Sequence, residues 1–266
     1  MASISEVLAD SKLARLDAEI FLAAVLQKSK TELFANPDFE ISEKDFMRFS
    51  DLKKIRLAGK SVAAILNQKD FFGLDFFVNE NVLTPRPETE ILVEEVLKIQ
   101  PKSLLDVGTG SGCLAISVKK NLPNCEVWGC DISSSALEVA QRNAGQNEVE
   151  VNFMESDLLK NIEKSFDVIV ANLPYIPLSS TEVEIGVKKF EPNLALFGGA
   201  DGLDLIRNLL TQISTLSQKP KLVLLEFGGG EQTEILEKFT KELFPNAVLE
   251  LIKDLAGVDR VMSFRL

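Results

Sequence analysis

The sequence FDVIVANLPY, residues 166–175, decides how the rest of the chain can be interpreted. Residues 168–171 form an apolar run with β-branched side chains, which predicts a strand buried on both faces of a parallel sheet. The strand is expected to stop at Asn172, because Pro174 has no backbone N–H for the ladder of a central strand. Open α/β sheets bind their ligands at the carboxyl ends of the strands. The Asn172 amide and the ring of Tyr175 are therefore expected at a ligand-binding edge.

An asparagine at such an edge can orient an amide or an exocyclic amine, which is a poor nucleophile because its lone pair is delocalised. The side-chain oxygen of Asn172 and the backbone carbonyl of Leu173 are both acceptors, so together they can hold the two N–H bonds of an NH2 group. Two such hydrogen bonds orient the nitrogen atom of the NH2 group and favour the positive charge that develops on this atom. Pro174 would fix the carbonyl, and Tyr175 would pack on a flat substrate group. The alternative is an ordinary strand end with a capping asparagine, and these ten residues alone leave both interpretations open.

The composition restricts the chemistry that the chain can perform. Its 266 residues are 45% hydrophobic and 26% charged, which is typical of a globular protein with one large domain and a small one. The chain contains no histidine, which excludes imidazole bases, Ser-His and Cys-His triads and His-based zinc sites. Cys113, Cys125 and Cys130 do not have the spacing of metal ligands, so no metal site is predicted.

The charge and the first residues restrict the partners and the location. The net charge is −11, and residues 1–70 carry eleven charges of each sign, so the acidic excess lies in residues 71–266. An acidic surface disfavours a nucleic-acid binder that depends on phosphate contacts. The sequence begins without a basic and then apolar leader and has no run of 18 apolar residues. We therefore expect a cytoplasmic protein without membrane segments.

Residues 1–70 are predicted to form a small helical bundle. Their apolar residues recur at spacings of three and four, and the stretch that starts at Asp17 has the clearest helical pattern. Ser42 is a candidate N-cap for a later helix, in which Phe46, Phe49, Leu52 and Ile55 are expected to face inward. Because the bundle is too short to perform chemistry alone, its expected role is to bind a partner or to present a substrate.

Residues 71–86 are interpreted as a connector that contains a β-hairpin, with its turn at the polar residues 79–81. The sequence TPRPETE, residues 84–90, then opens a helix, and a proline is well suited to its first turn. Arg86 stands between two prolines and is therefore held stiffly beside the start of this helix. Such an arginine is expected to orient another group.

From Ser103 onward, strand and helix patterns alternate, which predicts βαβ units and a parallel sheet within an α/β domain of residues 87–266. The last two strands have no helix between them, so the final strand is expected to insert antiparallel. Strands are predicted near residues 103–108, 126–131, 151–154, 166–172, 221–227, 247–252 and 259–265, with helices near 113–121, 133–144, 201–217 and 231–243.

A glycine-rich loop, DVGTGSG at residues 106–112, follows the first predicted strand and can approach a ligand closely. A dinucleotide fingerprint would need a glycine at Cys113. The spacing resembles instead the first motif of S-adenosylmethionine-dependent methyltransferases. Asp131 ends the second strand, where an acid binds ribose hydroxyls, and Asp157 follows the third strand, where it is placed for the adenine amine. Two acids at successive strand ends disfavour other nucleotide folds.

The combined motifs resemble those of the protein-(glutamine-N5) methyltransferases that modify peptide chain release factors. The Asn-x-Pro-Tyr motif alone is shared with amino-methyltransferases of nucleic acids, whereas its combination with Pro-Arg-Pro-Glu-Thr-Glu and Phe-Glu-Pro is much more specific. The resemblance covers nearly the whole chain, through Arg56-x-x-Gly59 with Val62-Ala63, residues 84–90, 106–112 and 172–176, Phe190-Glu191-Pro192 with Ala195-Leu196, Gly199-x-Asp201-Gly202, and residues 254–261.

The resemblance implies a seven-stranded, Rossmann-like class I methyltransferase sheet and an N-terminal helical bundle that docks the release factor. It also implies methyl transfer from S-adenosyl-L-methionine to the side-chain nitrogen, N5, of the glutamine in the GGQ loop of a release factor. Leu173 replaces the first proline of the family motif, which keeps the carbonyl and loosens the backbone. Ser61 and Ala64 stand where the family often has proline and tyrosine, a difference confined to the bundle.

The candidate residues fall into three groups. The catalytic candidates are Asn172, Leu173, Pro174 and Tyr175. The cofactor-binding candidates are Asp106, Gly108, Thr109, Gly110, Gly112, Asp131, Ile132, Asp157, Leu158 and Asn172. The substrate-binding candidates are Arg86, Glu88, Asn172, Pro174 and Tyr175.

A release factor is the expected partner, and we expect a monomer that binds neither membranes nor nucleic acid. Two alternatives remain at this point. One is a nucleic-acid exocyclic amino-methyltransferase that acts on adenine N6 or guanine N2. The other is a non-catalytic module that binds S-adenosylmethionine.

Overall fold

The computed structural model describes residues 2–181 and 185–266. These residues form two compact units, which we call the helical unit, residues 2–68 and 185–190, and the sheet unit, residues 69–181 and 191–266.

The chain begins with helices and then alternates strands and helices. The helices are α1 Ile4–Ala9, α2 Arg15–Leu26, α3 Lys30–Ala35, α4 Glu43–Leu57, α5 Val62–Leu66, α6 Glu90–Ile99, α7 Cys113–Asn121, α8 Ser134–Gln146, α9 Ile185–Phe190, α10 Asp204–Thr215 and α11 Glu231–Leu243. The strands are β1 Gln68–Phe71, β2 Leu74–Phe77, β3 Ser103–Val107, β4 Glu126–Asp131, β5 Asn152–Glu155, β6 Val168–Ala171, β7 Leu222–Glu226, β8 Val248–Lys253 and β9 Asp259–Arg265.

Serine N-caps start four of the short helices in the helical unit. Ser3, Ser29, Ser42 and Ser61 each accept a hydrogen bond from a backbone N–H in the first turn of the helix that follows. Such a bond satisfies one of the donors that the first turn of a helix leaves unpaired. Local sequence therefore sets where these helices begin, and the predicted cap at Ser42 is confirmed.

The helical unit buries a small apolar core, but α4 contributes less to it than the periodicity predicts. Phe49 is buried in this core, together with side chains of α2 such as Phe21. The expectation that Phe46 and Ile55 face inward is wrong, because these side chains are 44% and 43% exposed. Only one narrow stripe of α4 is covered, so apolar side chains beside that stripe remain on the surface.

The hairpin lies earlier in the chain than the sequence pattern predicts. Its strands, β1 and β2, are joined by Phe72 and Gly73, whose φ angles are +49° and +73°. Positive φ at both central residues is the geometry of a two-residue type I′ turn, whose twist matches that of the strands. The predicted turn at residues 79–81 is therefore wrong. The strands of the hairpin pair within residues 68–77, and the hairpin after Gln68 lies in the sheet unit, whereas the domain boundaries at residues 70 and 86 remain predictions.

The large sheet has the order β5-β4-β3-β6-β7-β9-β8, which confirms the predicted seven strands. Strands β3 to β7 pair in parallel, and β9 pairs antiparallel with both β7 and β8. The antiparallel insertion of the last strand is thus confirmed. The chain runs outward from β3 to β5 and returns to the other side of β3 with β6. Such a switch point opens a crevice at the carboxyl ends of β3 and β6.

Alternate residues of the central strands enter two different cores. Leu104 and Val168 pack with α6 and α7 on one face of the sheet. Leu105 and Ile169 pack with α10 and α11 on the other face. Because successive side chains of a strand point to opposite faces, a strand covered by helices on both sides must be apolar throughout. This burial holds the carboxyl ends of β3 and β6 in place.

Two elements between β6 and α10 were not predicted, namely α9 and a 3-10 helix at Asn193–Ala195. Both are short, and neither has a clear apolar period. No helix within residues 2–181 and 185–266 is long and apolar enough to cross a membrane. Over the same residues, Cys, Asp and Glu side chains form no cluster of three or more that suits a metal ion.

Candidate active site

A cavity of about 280 Å³ opens at the carboxyl ends of β3, β4 and β6, where the strand order predicts a crevice. It brings together most of the residues that the sequence analysis selected. These are Arg86, Asp106, Gly108, Thr109, Gly110, Asp131, Ile132, Asp157, Leu158, Asn172, Leu173 and Pro174. Gly112, Glu88 and Tyr175 are not among the described residues that line it.

The glycine-rich loop is tied to the end of β4 by its backbone. The N–H groups of Gly108 and Thr109 both donate to the carbonyl of Cys130, at 2.8 and 2.9 Å. A Cβ atom on Gly108 would lie 2.8 Å from Cδ2 of Leu173, so only glycine lets the loops after β3 and β6 come this close. Gly112 has a different role, because a Cβ there would meet side chains of α7 and α8. Gly112 allows these two helices to pack, and its contact with the cofactor remains a prediction.

Asp131 is held by two backbone donors at the end of β4. Gly110 N–H donates to its Oδ2 and Ser133 N–H to its Oδ1, each at 2.9 Å. Burial raises the pKa of Asp131, although the Ser133 and Gly110 N–H groups act in the opposite direction. A carboxylate oxygen can accept more than one hydrogen bond, so Asp131 can still bind ligand hydroxyls.

Asp106 differs from Asp131 in that it is buried behind the loop. Only 2% of the residue is exposed, and its Oδ2 accepts a hydrogen bond from the Thr109 hydroxyl at 2.7 Å. Burial raises the pKa of Asp106 to about 7, against the hydrogen bonds from Thr109 and from the backbone of Ala115. Asp106 therefore supports the loop from inside while it contributes to the cavity wall.

Another part of the cavity wall combines apolar surface with a second acid. Ile132 is half-exposed, and Leu158 is buried with a φ of +54°, both on the cavity wall. Asp157 also lines the cavity, and its Oδ2 accepts a hydrogen bond from Lys160 at 2.6 Å. An apolar surface beside a carboxylate suits a flat base with an amine. Together with Asp131 and the close-approaching loop, these residues fit S-adenosylmethionine.

We expect Asp131→Ala to weaken S-adenosylmethionine binding by roughly 1.5–3 kcal/mol, because a charge-assisted hydrogen bond to the cofactor is lost. Isothermal titration calorimetry measures this directly. Asp131→Asn is the matched control, since it keeps an acceptor of the same shape without the charge and should lose less affinity. Equal affinities for the wild type and Asp131→Ala would contradict this assignment.

Asn172 directly follows β6 and is partly buried. Its Nδ2 donates to the Thr89 hydroxyl oxygen at 2.8 Å. Because the amide nitrogen is engaged in this way, Oδ1 remains as an acceptor on the side of the cavity that Asn172 lines. The Leu173 side chain is 4% exposed and packs into the core of the sheet unit. That packing anchors the loop.

Tyr175 is not among the described residues that line the cavity, and the expectation that its ring packs on a substrate remains a prediction. Its ring packs against the core of the sheet unit, and its hydroxyl donates to Oε1 of Glu226 at 3.2 Å. Burial raises the pKa of the Tyr175 hydroxyl, so the group stays protonated as a donor. The backbone carbonyl of Tyr175 accepts a hydrogen bond from Nε2 of Gln232 at 2.8 Å. In this structure Tyr175 holds the loop in place.

Arg86 and Glu88 also have partners within the protein. Nη2 of Arg86 donates to both carboxylate oxygens of Glu191, at 3.0 and 2.9 Å. Burial raises the pKa of Glu191, and the charge of Arg86 opposes this change. The pair joins the Pro-Arg-Pro segment to the Phe-Glu-Pro segment. The charge of Glu88 acts on Glu226 and raises its pKa. Direct substrate contacts of Arg86 and Glu88 remain predictions.

The sequence analysis missed Thr89, Glu226 and Gln232. Glu226 could have been found, because it is an acid at the end of a buried strand, as Asp131 is. Thr89 lies inside the TPRPETE motif, from which only Arg86 and Glu88 were selected as candidates. Gln232 lies in the first turn of α11, and its sequence context carries no signal.

The parallel sheet, the glycine-rich loop and the acids at successive strand ends define a class I S-adenosylmethionine-dependent methyltransferase. The family model of the methyltransferase small domain matches residues 86–191, and that of the PrmC N-terminal domain matches residues 1–66. A methyltransferase from Pyrococcus furiosus has a similar fold, with a TM-score of 0.57 and 22% identity over 81% of this chain and 98% of that one.

Sequence relatives identify the family. The chain is 37% identical to a release factor glutamine methyltransferase of Koribacter versatilis, over 97% of this chain and 93% of that protein. It is 38% identical to a protein of the same description from Flavobacterium psychrophilum, over 92% and 89% of the two chains. The chain belongs to the release factor glutamine methyltransferase family, which confirms the resemblance found in the sequence.

Proposed function

We propose that the chain transfers a methyl group from S-adenosyl-L-methionine to the side-chain nitrogen, N5, of the glutamine in the GGQ loop of a peptide chain release factor. The observation that carries this proposal is the orientation of the Asn172 side-chain amide. Its Nδ2 is bound by Thr89, which leaves Oδ1 as an acceptor at the cavity. The family supplies the substrate class, since its members are described as release factor glutamine methyltransferases.

When bound, the cofactor supplies a sulfonium methyl group, which is strongly electrophilic. The protein's part is to prepare the amide nitrogen. Oδ1 of Asn172 and the carbonyl oxygen of Leu173 would accept the two N–H bonds of the glutamine side chain. This grip orients the nitrogen and stabilises the positive charge that develops on it during attack. A strong base is not needed, because the methylated nitrogen becomes acidic and releases a proton to water.

The charge distribution supports a protein substrate over nucleic acid. The acidic excess lies in residues 71–266, which contain the cavity, and it would repel phosphate groups. Residues 1–70 carry no net charge, and the helical unit has exposed apolar side chains such as Phe34 and Met47. Such side chains gain free energy when they are buried against a protein partner. We therefore assign release-factor docking to residues 1–70. The cytoplasmic location remains an expectation. The expectation of a monomer remains a prediction.

The test is to incubate the protein with S-adenosylmethionine and, separately, with a release factor, transfer RNA, ribosomal RNA and duplex DNA. We expect one methyl group on one glutamine of the release factor, located by tandem mass spectrometry, and none on the nucleic acids. The motif around Asn172 would serve either substrate class, so this comparison decides between them. Methylation of a nucleic acid without methylation of the release factor would overturn the proposal.

The same assay tests the docking role with the full-length chain. Met47→Asp places a charge on the apolar surface of α4, where 61% of the side chain is exposed. It should raise the KM for the release factor by about tenfold, since an energetically important interface side chain contributes over 1 kcal/mol. Val248→Asp is the matched control, because Val248 is 67% exposed at the start of β8, on the edge of the sheet opposite the cavity. An unchanged KM in Met47→Asp would remove this surface from the proposal.

A further inference from the structure

A buried carboxyl group lies behind the Asn172 loop, and two hydroxyl groups, those of Tyr175 and Thr89, face it. Glu226, the last residue of β7, is 1% exposed, and its Oε1 accepts a hydrogen bond from Tyr175. The Thr89 hydroxyl faces the same carboxyl group and lowers the pKa of Glu226 by hydrogen bonding. Oε2 of Glu226 has no hydrogen bond of normal geometry within the described residues. The Thr89 oxygen in turn accepts from Nδ2 of Asn172 at 2.8 Å.

The hydrogen bonds of this group have a direction. A carboxylate can only accept, and Oε2 of Glu226 is buried without a partner among the described residues, so it is a suitable acceptor for the single proton of the Thr89 hydroxyl. The Thr89 oxygen is then left to accept, which matches the donation from Nδ2 of Asn172. If the Thr89 proton pointed the other way, the Asn172 amide would turn over and present its NH2 group to the cavity. That NH2 group would face the N–H bonds of the substrate and could not accept them.

We propose that Glu226 and Thr89 are positioning residues for methyl transfer, in which the Glu226 carboxylate orients the Thr89 hydroxyl and Thr89 holds Oδ1 of Asn172 toward the substrate. The inference rests on the proposed function, because it takes Asn172 as the group that grips the glutamine amide. Its geometric basis is that Thr89 and Glu226 are both buried, that the Thr89 oxygen already accepts from Nδ2 of Asn172, and that Oε2 of Glu226 has no partner among the described residues.

The surroundings of Glu226 make this arrangement sensitive to pH. Burial raises the pKa of Glu226 to about 7, while hydrogen bonds from Thr89 and Tyr175 and the charge of Arg260 act in the opposite direction. Glu88 adds a charge that raises this pKa, and the Cys113 thiol also faces Glu226. A protonated carboxyl group can donate to Thr89, which frees the Thr89 proton to turn toward Asn172. The correct orientation is therefore present above the pKa of Glu226 and is lost as the pH falls through it.

The kinetic test uses the full-length protein, a release factor and saturating S-adenosylmethionine. We expect Glu226→Gln and Thr89→Val to lower kcat on the order of 100-fold, since a displaced orienting group costs about this much. The affinity for S-adenosylmethionine, measured by calorimetry, should change less than about twofold. Neither substitution is expected to remove a contact that binds the ground state and the transition state equally. Thr89→Ser keeps the hydroxyl and should restore most of the rate that Thr89→Val loses. Between about pH 5.5 and 9, kcat of the wild type should fall on the acidic side and that of Glu226→Gln should not.

A spectroscopic test needs no release factor. The side-chain NH2 resonance of Asn172, identified by its absence in Asn172→Ala, should shift near pH 7 in the wild-type protein and stay constant in Glu226→Gln. This measurement separates the inference from the proposed function, because an unmodified release factor contradicts only the latter. If Glu226→Gln does not fold, the kcat values of Thr89→Val and Thr89→Ser still test whether methyl transfer needs the hydroxyl group at this position.

Three results would overturn the inference. One is a wild-type kcat in both Glu226→Gln and Thr89→Val. Another is a parallel loss of cofactor affinity and rate, which indicates a structural role. The third is an acidic fall in rate that persists in Glu226→Gln, since it assigns the titration to another group, such as Asp106.

Discussion

Asn172→Ala is expected to abolish methyl transfer while S-adenosylmethionine still binds almost normally. The substitution removes the acceptor that Thr89 holds toward the cavity, but it leaves Asp131 and the glycine-rich loop in place. Loss of one preorganised group of this kind lowers kcat by about 100- to 1,000-fold. Single-turnover assays with a release factor give the rate, and calorimetry gives the cofactor affinity. Together they separate chemistry from binding.

The matched control for this prediction is Asn152→Ala. Asn152 is an exposed asparagine at the start of β5 and lies away from the cavity, so its loss should change neither quantity. If Asn172→Ala lowers the cofactor affinity and the rate to the same extent, the end of β6 has a structural role. That outcome would favour the simpler interpretation of Asn172 as a strand cap.

Gly202→Ala is expected to have the largest effect on stability, with a loss of about 3 kcal/mol from the free energy of unfolding. Gly202 has a φ of +83°, which strains any residue with a Cβ. That Cβ would lie 2.0 Å from the carbonyl oxygen of Tyr175 and 2.6 Å from Nε2 of Gln232. These two atoms are hydrogen-bonded to each other at 2.8 Å. The added methyl group must therefore displace the loop that contains Asn172, so the activity should fall as well.

Denaturant-induced unfolding measures this change, and Gly145→Ala is its control. Gly145 lies on the exposed side of α8, and an added Cβ would meet no atom within 4 Å. In a helix this substitution should stabilise the protein by about 0.5–1 kcal/mol, because alanine loses less backbone entropy than glycine. If Gly202→Ala were as stable as the wild type, the contact between Gly202 and the Tyr175 loop would not constrain the site.

Strand ends are the part of the site that the sequence predicts best. The apolar run before Asn172, the glycines after β3 and the acid at Asp131 are local patterns. Each of these patterns follows from the alternation of strand and helix and from the need to bury both faces of a parallel strand. A parallel sheet brings the carboxyl ends of its strands to one edge. For that reason, the sequence predicts many of the residues that line the cavity.

Turn positions and surface exposure were predicted less well. The residues 79–81 look like a turn by composition, but the turn forms at Phe72 and Gly73, where the twist of the two strands fits positive φ angles. Helical periodicity placed Phe46 and Ile55 inside, but the small core of the helical unit covers only one stripe of α4. Periodicity gives the face of a helix, whereas the extent of its burial depends on which elements cover it.

By itself, the sequence determined the class of fold, the edge at which the site forms and the family of the protein. The tertiary structure decided which side chains act together at that edge. Thr89 meets Asn172, Tyr175 meets Glu226, and Arg86 meets Glu191 across separations of 83, 51 and 105 residues. Contacts over such distances depend on the packing of the whole sheet, and no local pattern records them. The sequence does not reveal that the ring of Tyr175 points into the core, or that Asn172 contacts the buried Thr89. Both features depend on the folded chain.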